Sequence, residues 1–240
     1  MRAQNQVALV ALCELIDAKP PANQKPPQII LCTTHLKATK NIVGERTRLL
    51  EVQQLLGSVQ RLYSAREKGG GGDEPLILIT GDLNAAPDDR STGFEALAYS
   101  AVKASPLGLR SVLNDDVQEQ ILRQQQQRDA LQPQQKKEQE LEEEIWTTWK
   151  ARRKKGKESI AKSCIDYILY RPPFAPLLPP VGVGDRLGSG MRSGLRAKAS
   201  LGLFTENEIG EDLLPSARYP SDHLAISADL EVVVWPRPAK

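Results

Sequence analysis

Leu76-Ile-Leu-Ile-Thr-Gly-Asp-Leu-Asn-Ala85 decides how this chain folds. Four apolar residues stop abruptly at Gly81-Asp82-Leu83-Asn84, and a glycine run, Gly69 to Gly72, lies upstream. A short unbroken apolar run with such borders reads as a buried strand opening into a loop. Side chains at i and i+2 of a strand share a face. Asp82 and Asn84 therefore leave the strand end together, with Leu83 turned into the fold. The carboxylate can hold a hard divalent cation or orient a water, and the amide can donate to a phosphate oxygen. The plainer alternative is a Gly-Asp hairpin turn with Asn84 capping the next segment.

Upstream, residues 44–68 predict a helix. Leu49, Val52, Leu55, Leu56, Val59 and Leu62 recur at steps of three and four and make one apolar stripe, with Arg46, Arg48, Glu51 and Arg61 mostly outside it. Residues 6–16 and 28–35 predict two strands in an antiparallel hairpin, separated by a proline-rich loop. The second strand ends in Thr34-His35-Leu36-Lys37, so His35 and Lys37 repeat the i, i+2 relation of Asp82 and Asn84. An imidazole and an ammonium at a strand end suit a phosphoryl oxygen. A satisfied half-buried histidine and a solvated lysine are the bland reading. Strand, helix, strand is the grammar of an α/β layer.

Downstream, Ser91 or Thr92 is placed to cap a short helix running through Tyr99, and 109–113 is ambiguous. Residues 118–144 are dominated by Gln, Glu, Lys and Arg and read as a solvated insertion, about 117–144, helical or disordered. Its apolar positions hold no heptad, so a coiled-coil partner arm is the minor alternative. Residues 145–150 return to strand composition. The basic run 152–157 reads as a hairpin tip, with contact to a polyanion as the alternative. Ile165-Asp166-Tyr167-Ile168-Leu169-Tyr170 is another strand, with a carboxylate inside an apolar run. Unpaired burial of that charge is costly, so Asp166 needs a partner. Residues 172–200 are rich in Pro, Gly and Arg and read as a second, mobile insertion. Residues 206–214 read as loop or short helix. Tyr219-Pro-Ser-Asp-His-Leu224 precedes a last strand at 225–235.

The chain has 240 residues, 40% of them hydrophobic, and a formal net charge of +2. That balance is too small to attract nucleic acid by bulk field, but it allows a local phosphate cleft. Cys13, Cys32 and Cys164 have no CxxC spacing, which argues against a disulfide framework and a zinc site and for a reducing compartment. No run reaches membrane-span length, and no signal peptide is visible, so the expectation is a cytoplasmic chain, with a mitochondrial form if a targeting segment lies upstream. Cys32 reads as buried filler. Trp149 reads as a core residue, with a place at the cleft as the alternative.

His35, Lys37, Asp82, Asn84, Asp166, Asp222 and His223 all sit at strand ends or inside apolar runs. A fold that gathers those ends makes one cleft of three carboxylates, two imidazoles, an amide and an ammonium. Carboxylates without thiolates select Mg²⁺ or Mn²⁺ over zinc, and a Mg²⁺ held by few carboxylates waits for a substrate phosphate. The chemistry suggested is phosphate-ester hydrolysis.

Thr34-His-Leu-Lys37, Gly81-Asp-Leu-Asn84, Ile165-Asp-Tyr167 and Ser221-Asp-His223, in that order, resemble the endonuclease/exonuclease/phosphatase superfamily. Trp146-Thr-Thr-Trp-Lys150, Phe204-Thr-Glu-Asn-Glu-Ile-Gly210 and Leu214 to Leu224 look most like its nocturnin-like branch, related to the carbon catabolite repressor deadenylases. The resemblance covers most of the chain outside the two insertions. It implies an α/β (α+β) fold, the carboxyl-terminal part of a four-layer α/β/β/α sandwich with mixed, largely antiparallel sheets. It implies that Asp82 orients the attacking water, Asn84 binds the phosphate, Asp222 lies at or near the metal, and His223 binds the phosphoryl group with Asp166 on its far ring nitrogen. His35 would contact the scissile phosphate and Lys37 another phosphate oxygen; Trp149, if at the cleft and not in the core, would touch the substrate. The cofactor implied is Mg²⁺, with Mn²⁺ as substitute; the substrate is NADP(H) losing its 2′-phosphate, or the 3′ end of poly(A) RNA.

The family's amino-terminal half bears an Asn and a metal-binding Glu, and nothing here matches them; Met1 is followed almost at once by the strand at Gln6. Residues 1–240 are therefore expected to form a partial domain, and a monomer. Thr39, with Lys40 beside it, stands where this branch tends to carry an Arg, which touches recognition of a 2′-phosphate. The competing readings are a catalytically impaired fragment and a binding module that uses the Gln-rich segment as its partner arm.

Overall fold

The computed structural model describes residues 6–16, 26–68, 74–87, 93–113, 146–154, 157–173, 191–200, 209 and 214–236. In chain order these form β1 (Ala8–Glu14), β2 (Gln28–His35), α1 (Ile42–Lys68), β3 (Leu76–Asp82), α2 (Leu97–Lys103), β4 (Arg110–Ser111), β5 (Thr148–Lys154), β6 (Lys157–Ser163), β7 (Asp166–Tyr170), β8 (Met191–Ser200) and β9 (Ala228–Pro236). A mixed five-stranded sheet has the order β1-β2-β3-β7-β4, and β5–β6 and β8–β9 each form a two-stranded sheet. β1 and β2 are the expected antiparallel hairpin, β2 and β3 run parallel, and β7 runs antiparallel to β3. The parallel step follows from α1, because a helix is the crossover that parallel neighbours require.

Strand alternation sorts the central sheet into two faces. Ile30 and Cys32 of β2, Ile77 and Ile79 of β3, and Tyr167 and Leu169 of β7 pack with Val52, Leu55 and Val59 of α1 and Ala98 and Val102 of α2. Ile29, Leu76, Leu78, Ile168 and Tyr170 face the other way, onto Leu195 of β8 and Leu230 and Val232 of β9. Helices, mixed sheet and second sheet thus lie in three layers among the described residues, a mixed α/β fold as expected. Full burial of a residue such as Ile77, at 0% exposure, contributes about 1.5–3 kcal/mol.

Several expectations need correction. The stretch 172–200 is not one mobile insertion, because Met191–Ser200 is β8, paired along its length with β9. Pro, Gly and Arg gave that stretch a loop-like composition, yet Arg196 and Lys198 lie in β8. They are the outward residues of a strand whose Ser193 and Leu195 are buried, and both reach Glu231. The short helix starts at Leu97 with Ala96 at its N-cap and no side-chain cap hydrogen bond; the expected caps Ser91 and Thr92 lie outside the described residues. Arg48 was placed outside the apolar stripe of α1, yet it is 1% exposed, paired with a buried Glu45. The expected insertion at 117–144 lies outside the described residues.

Candidate active site

Strand register assembles the site. His35 at the end of β2 pairs with Asp82 at the end of β3, and Asp82 pairs with Asp166 at the start of β7. Register partners point to the same side of a sheet, so one row across three strands presents an imidazole and two carboxylates. The row lies on the face away from α1, the face of Leu78 and Ile168. The backbone pairing continues past the strand ends, with Leu36 N–H donating to the Asp82 carbonyl (2.9 Å) and Leu83 N–H to the Ile165 carbonyl (2.8 Å). Gly81 permits the close approach. Its φ is +144°, and a Cβ there would lie 2.0 Å from the Thr34 carbonyl oxygen, a conformation and a contact open only to glycine.

Asp82 and Asn84 lie side by side as the i, i+2 relation predicts, with Leu83 buried between them at 2% exposure. The Asn84 backbone N–H donates to Asp82 Oδ1 (2.7 Å) and its amide Nδ2 to Asp82 Oδ2 (3.1 Å). Nδ2 also donates to the Leu36 carbonyl (3.1 Å), so both amide hydrogens tie the β2 and β3 tips together. Burial pushes the Asp82 carboxyl above the usual carboxylate range; the Asn84 N–H opposes this, the Asp166 charge adds to it, and His223 and His35 oppose it.

His223 comes from a distant part of the chain. It forms an antiparallel bridge with Thr148 beside β5, and Leu224 N–H donates to the Thr147 carbonyl (2.8 Å). Its Nδ1 lies 3.1 and 3.0 Å from the two oxygens of Asp166. A carboxylate only accepts, so Nδ1 carries the hydrogen and Nε2 faces the open site. The partner that Asp166 required is therefore His223. Nε2 lies 3.9 Å from Asp82 Oδ2 and 3.9 Å from Asp222 Oδ1. His35 Nε2 is 3.4 Å from Asp82 Oδ2, on a side chain that is 70% exposed. The ligand atoms of Asp82, Asp166 and His223 lie within 4.8 Å of one another.

Asp222 is held by Lys150 of β5, with Nζ to Oδ2 at 2.5 Å. That hydrogen bond holds its carboxyl below the usual range against a smaller opposing effect of burial. Lys150 is a cation beside the site that sequence reading did not single out, although the motif that contains it, Trp146-Thr-Thr-Trp-Lys150, carried part of the resemblance. Its neighbour Trp149 faces the opposite way, as alternation demands. Trp149 is 4% exposed among Ile209, Leu214 and Leu224, with Lys162 Nζ 4.1 Å from its ring centroid. It is a core residue, and the expectation that it lines the cleft fails on that burial.

The loop carrying Lys37 is gripped from below. Arg48 donates to the carbonyls of Lys37 (2.6 Å) and Thr39 (2.8 Å) and to Glu45 Oε2, while Glu45 Oε1 accepts from Ala98 N–H (2.8 Å). Glu51 Oε2 accepts the Lys37 backbone N–H (3.0 Å). Tyr167, stacked on Tyr99 at 5.0 Å, places its hydroxyl 2.7 Å from the Ala85 carbonyl just past Asn84.

The sequence matches the Endonuclease/Exonuclease/phosphatase family over residues 17–223. The chain belongs to that family. It is 30% identical over 207 residues to nocturnin of Xenopus laevis, covering 84% of this chain and 37% of that protein. It is 27% identical over 205 residues to nocturnin of Homo sapiens, covering 84% of this chain and 33% of that protein. The chain thus spans about a third of the length of these relatives. Its structure resembles that of the human nocturnin catalytic domain with bound sulfate anion at a TM-score of 0.51 and 21% identity, covering 96% of this chain and 54% of that one.

Within this family member the donor set suits a hard divalent ion. Among the described residues Asp82, Asp166 and His223 are the group whose ligand atoms lie close enough to hold a metal ion, and the Asp82 carboxyl raised by burial marks a charge that a cation would relieve. Thiolates play no part: burial pushes the Cys32 and Cys164 thiols up to about 11 and about 12.

Proposed function

We propose that this chain is a metal-dependent phosphoesterase whose reacting phosphate lies between His35, Asp82 and His223. The observation that supports it most is the Asp166–His223 pair set against the Asp82 carboxylate at the end of one strand row. Both Asp166 oxygens are spent on His223, which holds Nε2 toward the site; in the doubly protonated ring that nitrogen is a donor toward a phosphoryl oxygen. Asp82, with its carboxyl raised and one oxygen close to both imidazoles, orients the attacking water and takes its proton. As water adds to phosphorus and the ester oxygen departs, negative charge grows on the phosphoryl oxygens. His223 and His35 beside Asp82 would stabilise it, with Lys37 as a further proposed donor. Asn84 acts through Asp82, holding both of its oxygens, and the notion that its amide binds phosphate requires one of its present hydrogen bonds to break. Mg²⁺ or Mn²⁺, held by Asp82 and Asp222, would supply further charge neutralisation at the phosphate. Lys150 competes for Asp222, so metal and lysine share that carboxylate.

The substrate class is a phosphate ester of a nucleotide: the 2′-phosphate of NADP(H), or the 3′ end of poly(A) RNA. The similarity to nocturnin supports both, and Lys150 beside Asp222 suits either polyanion. The proposed place of action is the cytoplasm. No helix among the described residues is long and apolar enough to cross a membrane. A protein partner bound through the Gln-rich segment is a separate proposal, tested by deleting 118–144 and measuring partner capture.

Phosphate release from NADPH and adenylate release from oligo(A), each with and without Mg²⁺, test the function. The parent is expected to turn over one of them, and Asp82→Ala to lose that activity. Equal rates in the two proteins would refute the assignment. A salt-dependent shift of labelled oligo(A) without cleavage would favour a binding module.

A further inference from the structure

We infer that Thr147 is the positioning residue that fixes both members of the Asp166–His223 pair. Thr147 is 0% exposed, directly before β5. Its Oγ1 accepts the backbone N–H of Ile165 (3.0 Å) and of Asp166 (3.2 Å) and donates to the Ser163 carbonyl (3.4 Å). A hydroxyl has one hydrogen and two lone pairs, so all of its capacity is in use. Its backbone is equally committed, with the N–H donating to the Ser163 carbonyl (3.0 Å) and the carbonyl accepting from Leu224 N–H (2.8 Å).

The consequence is geometric. Asp166 opens β7 directly after a non-strand residue; it is in register with Asp82 of β3, and its own N–H goes to the Thr147 hydroxyl instead of to a strand neighbour. The Thr147 hydroxyl thus constrains the start of β7. On its other side, the Thr147 carbonyl captures the residue that follows His223. One buried residue therefore sets the spacing between a carboxylate from β7 and an imidazole 57 positions later in the chain. Thr147 touches neither side chain of the pair, so its part is positioning. Displacing the Asp166 backbone by half an ångström would change two contacts of 3.0–3.1 Å at Nδ1 into weak ones. Loss of such a supporting contact typically lowers activity about 10–100-fold.

The inference rests on Asp166 and His223 being the phosphate-facing pair, but its test does not need turnover. The chain has only two histidines, so nitrogen-15 spectra of the imidazoles resolve two residues, and exposed His35 is an internal control. In the full-length parent at mildly alkaline pH with a chelator present, His223 is expected as the Nδ1–H tautomer. Thr147→Val keeps the shape and removes the hydroxyl; it should abolish the Nδ1–H signature of His223 and leave His35 unchanged. Thr147→Ser keeps the hydroxyl and should retain the signature. A folded Thr147→Val with an unaltered His223 spectrum would overturn the inference. So would a folded Thr147→Ser that loses the signature, which keeps the question decidable if the valine variant does not fold. A catalytically silent parent with a locked His223 would remove the proposed function and leave this role standing.

Discussion

The two histidines of this chain sit beside the same carboxylate and are built in opposite ways. His223 is 28% exposed in its side chain, and its far nitrogen is held by both oxygens of Asp166. His35 is 70% exposed in its side chain, and Asp82, its close charged neighbour among the described residues, is 3.4 Å away. Most of the structure's effort goes into the first: Thr147 beneath the pair, the Thr148 bridge, a fixed tautomer. Among the described residues the second is held by its strand, through the register with Asp82. The difference teaches which imidazole is organised before substrate arrives and which is organised by substrate. A pre-oriented donor stabilises developing charge without reorganisation; an exposed one loses much of its Coulombic advantage to water and salt.

Replacing the organised member should have the largest effect. His223→Ala is expected to lower phosphate release about 10³-fold, within the usual range for a positioned acid–base group. Steady-state rates on the better of the two nucleotide substrates measure it. Asp166→Asn should fall close behind, because an amide offers one acceptor oxygen in place of two, and no negative charge, to the Nδ1–H of the doubly protonated ring. Equal losses in His223→Ala and His35→Ala would erase the distinction between the two.

The next largest effect concerns the support under His35 and Lys37. Arg48→Met removes the guanidinium that binds two loop carbonyls and leaves Glu45 buried at 2% exposure without its ion partner. Breaking a buried pair in this manner costs about 3–5 kcal/mol, so the urea midpoint should drop markedly. His35→Ala itself is expected to cost roughly tenfold in rate, as suits an exposed, screened contact, with no change in stability.

The smallest effect is a pH-dependent one on Asp82. Its folded carboxyl lies above the ordinary value, chiefly through burial. The folded state therefore holds the proton more tightly than the unfolded chain does. The penalty for ionising it is absent below the ordinary carboxylate value and complete above the raised one. Asp82→Asn, which cannot ionise, should gain stability relative to the parent as pH rises through that window. Thermal unfolding of both proteins across acid to neutral pH reads this. An advantage that shrinks with rising pH would contradict the burial argument.

Much of this was legible in the sequence because it depends on local spacing. The i, i+2 pairs at His35/Lys37 and Asp82/Asn84, the stripe of α1 and the isolated charge of Asp166 are all visible within ten residues. Asp166 even announced that it needed a partner, though not which one. What stayed hidden depends on register between distant segments. Nothing local says that Thr147 lies under Asp166, that Lys150 reaches Asp222, or that Arg48 turns inward to grip carbonyls. β8 was concealed by composition, since the proline, glycine and arginine of 172–200 made a strand look like a loop. Trp149 shows the reverse case: flanked by Thr148 and Lys150, both at the site, it points away from them by strand alternation.

The central claim is that four separate strand tips share one phosphate pocket. Titrating nitrogen-15-labelled protein with inorganic phosphate in the presence of Mg²⁺, while following both imidazoles, tests it directly. One pocket predicts that His35 and His223 shift together along a single saturation curve, and that Asp82→Ala alters both. Separate curves, or a response from only one histidine, would contradict it.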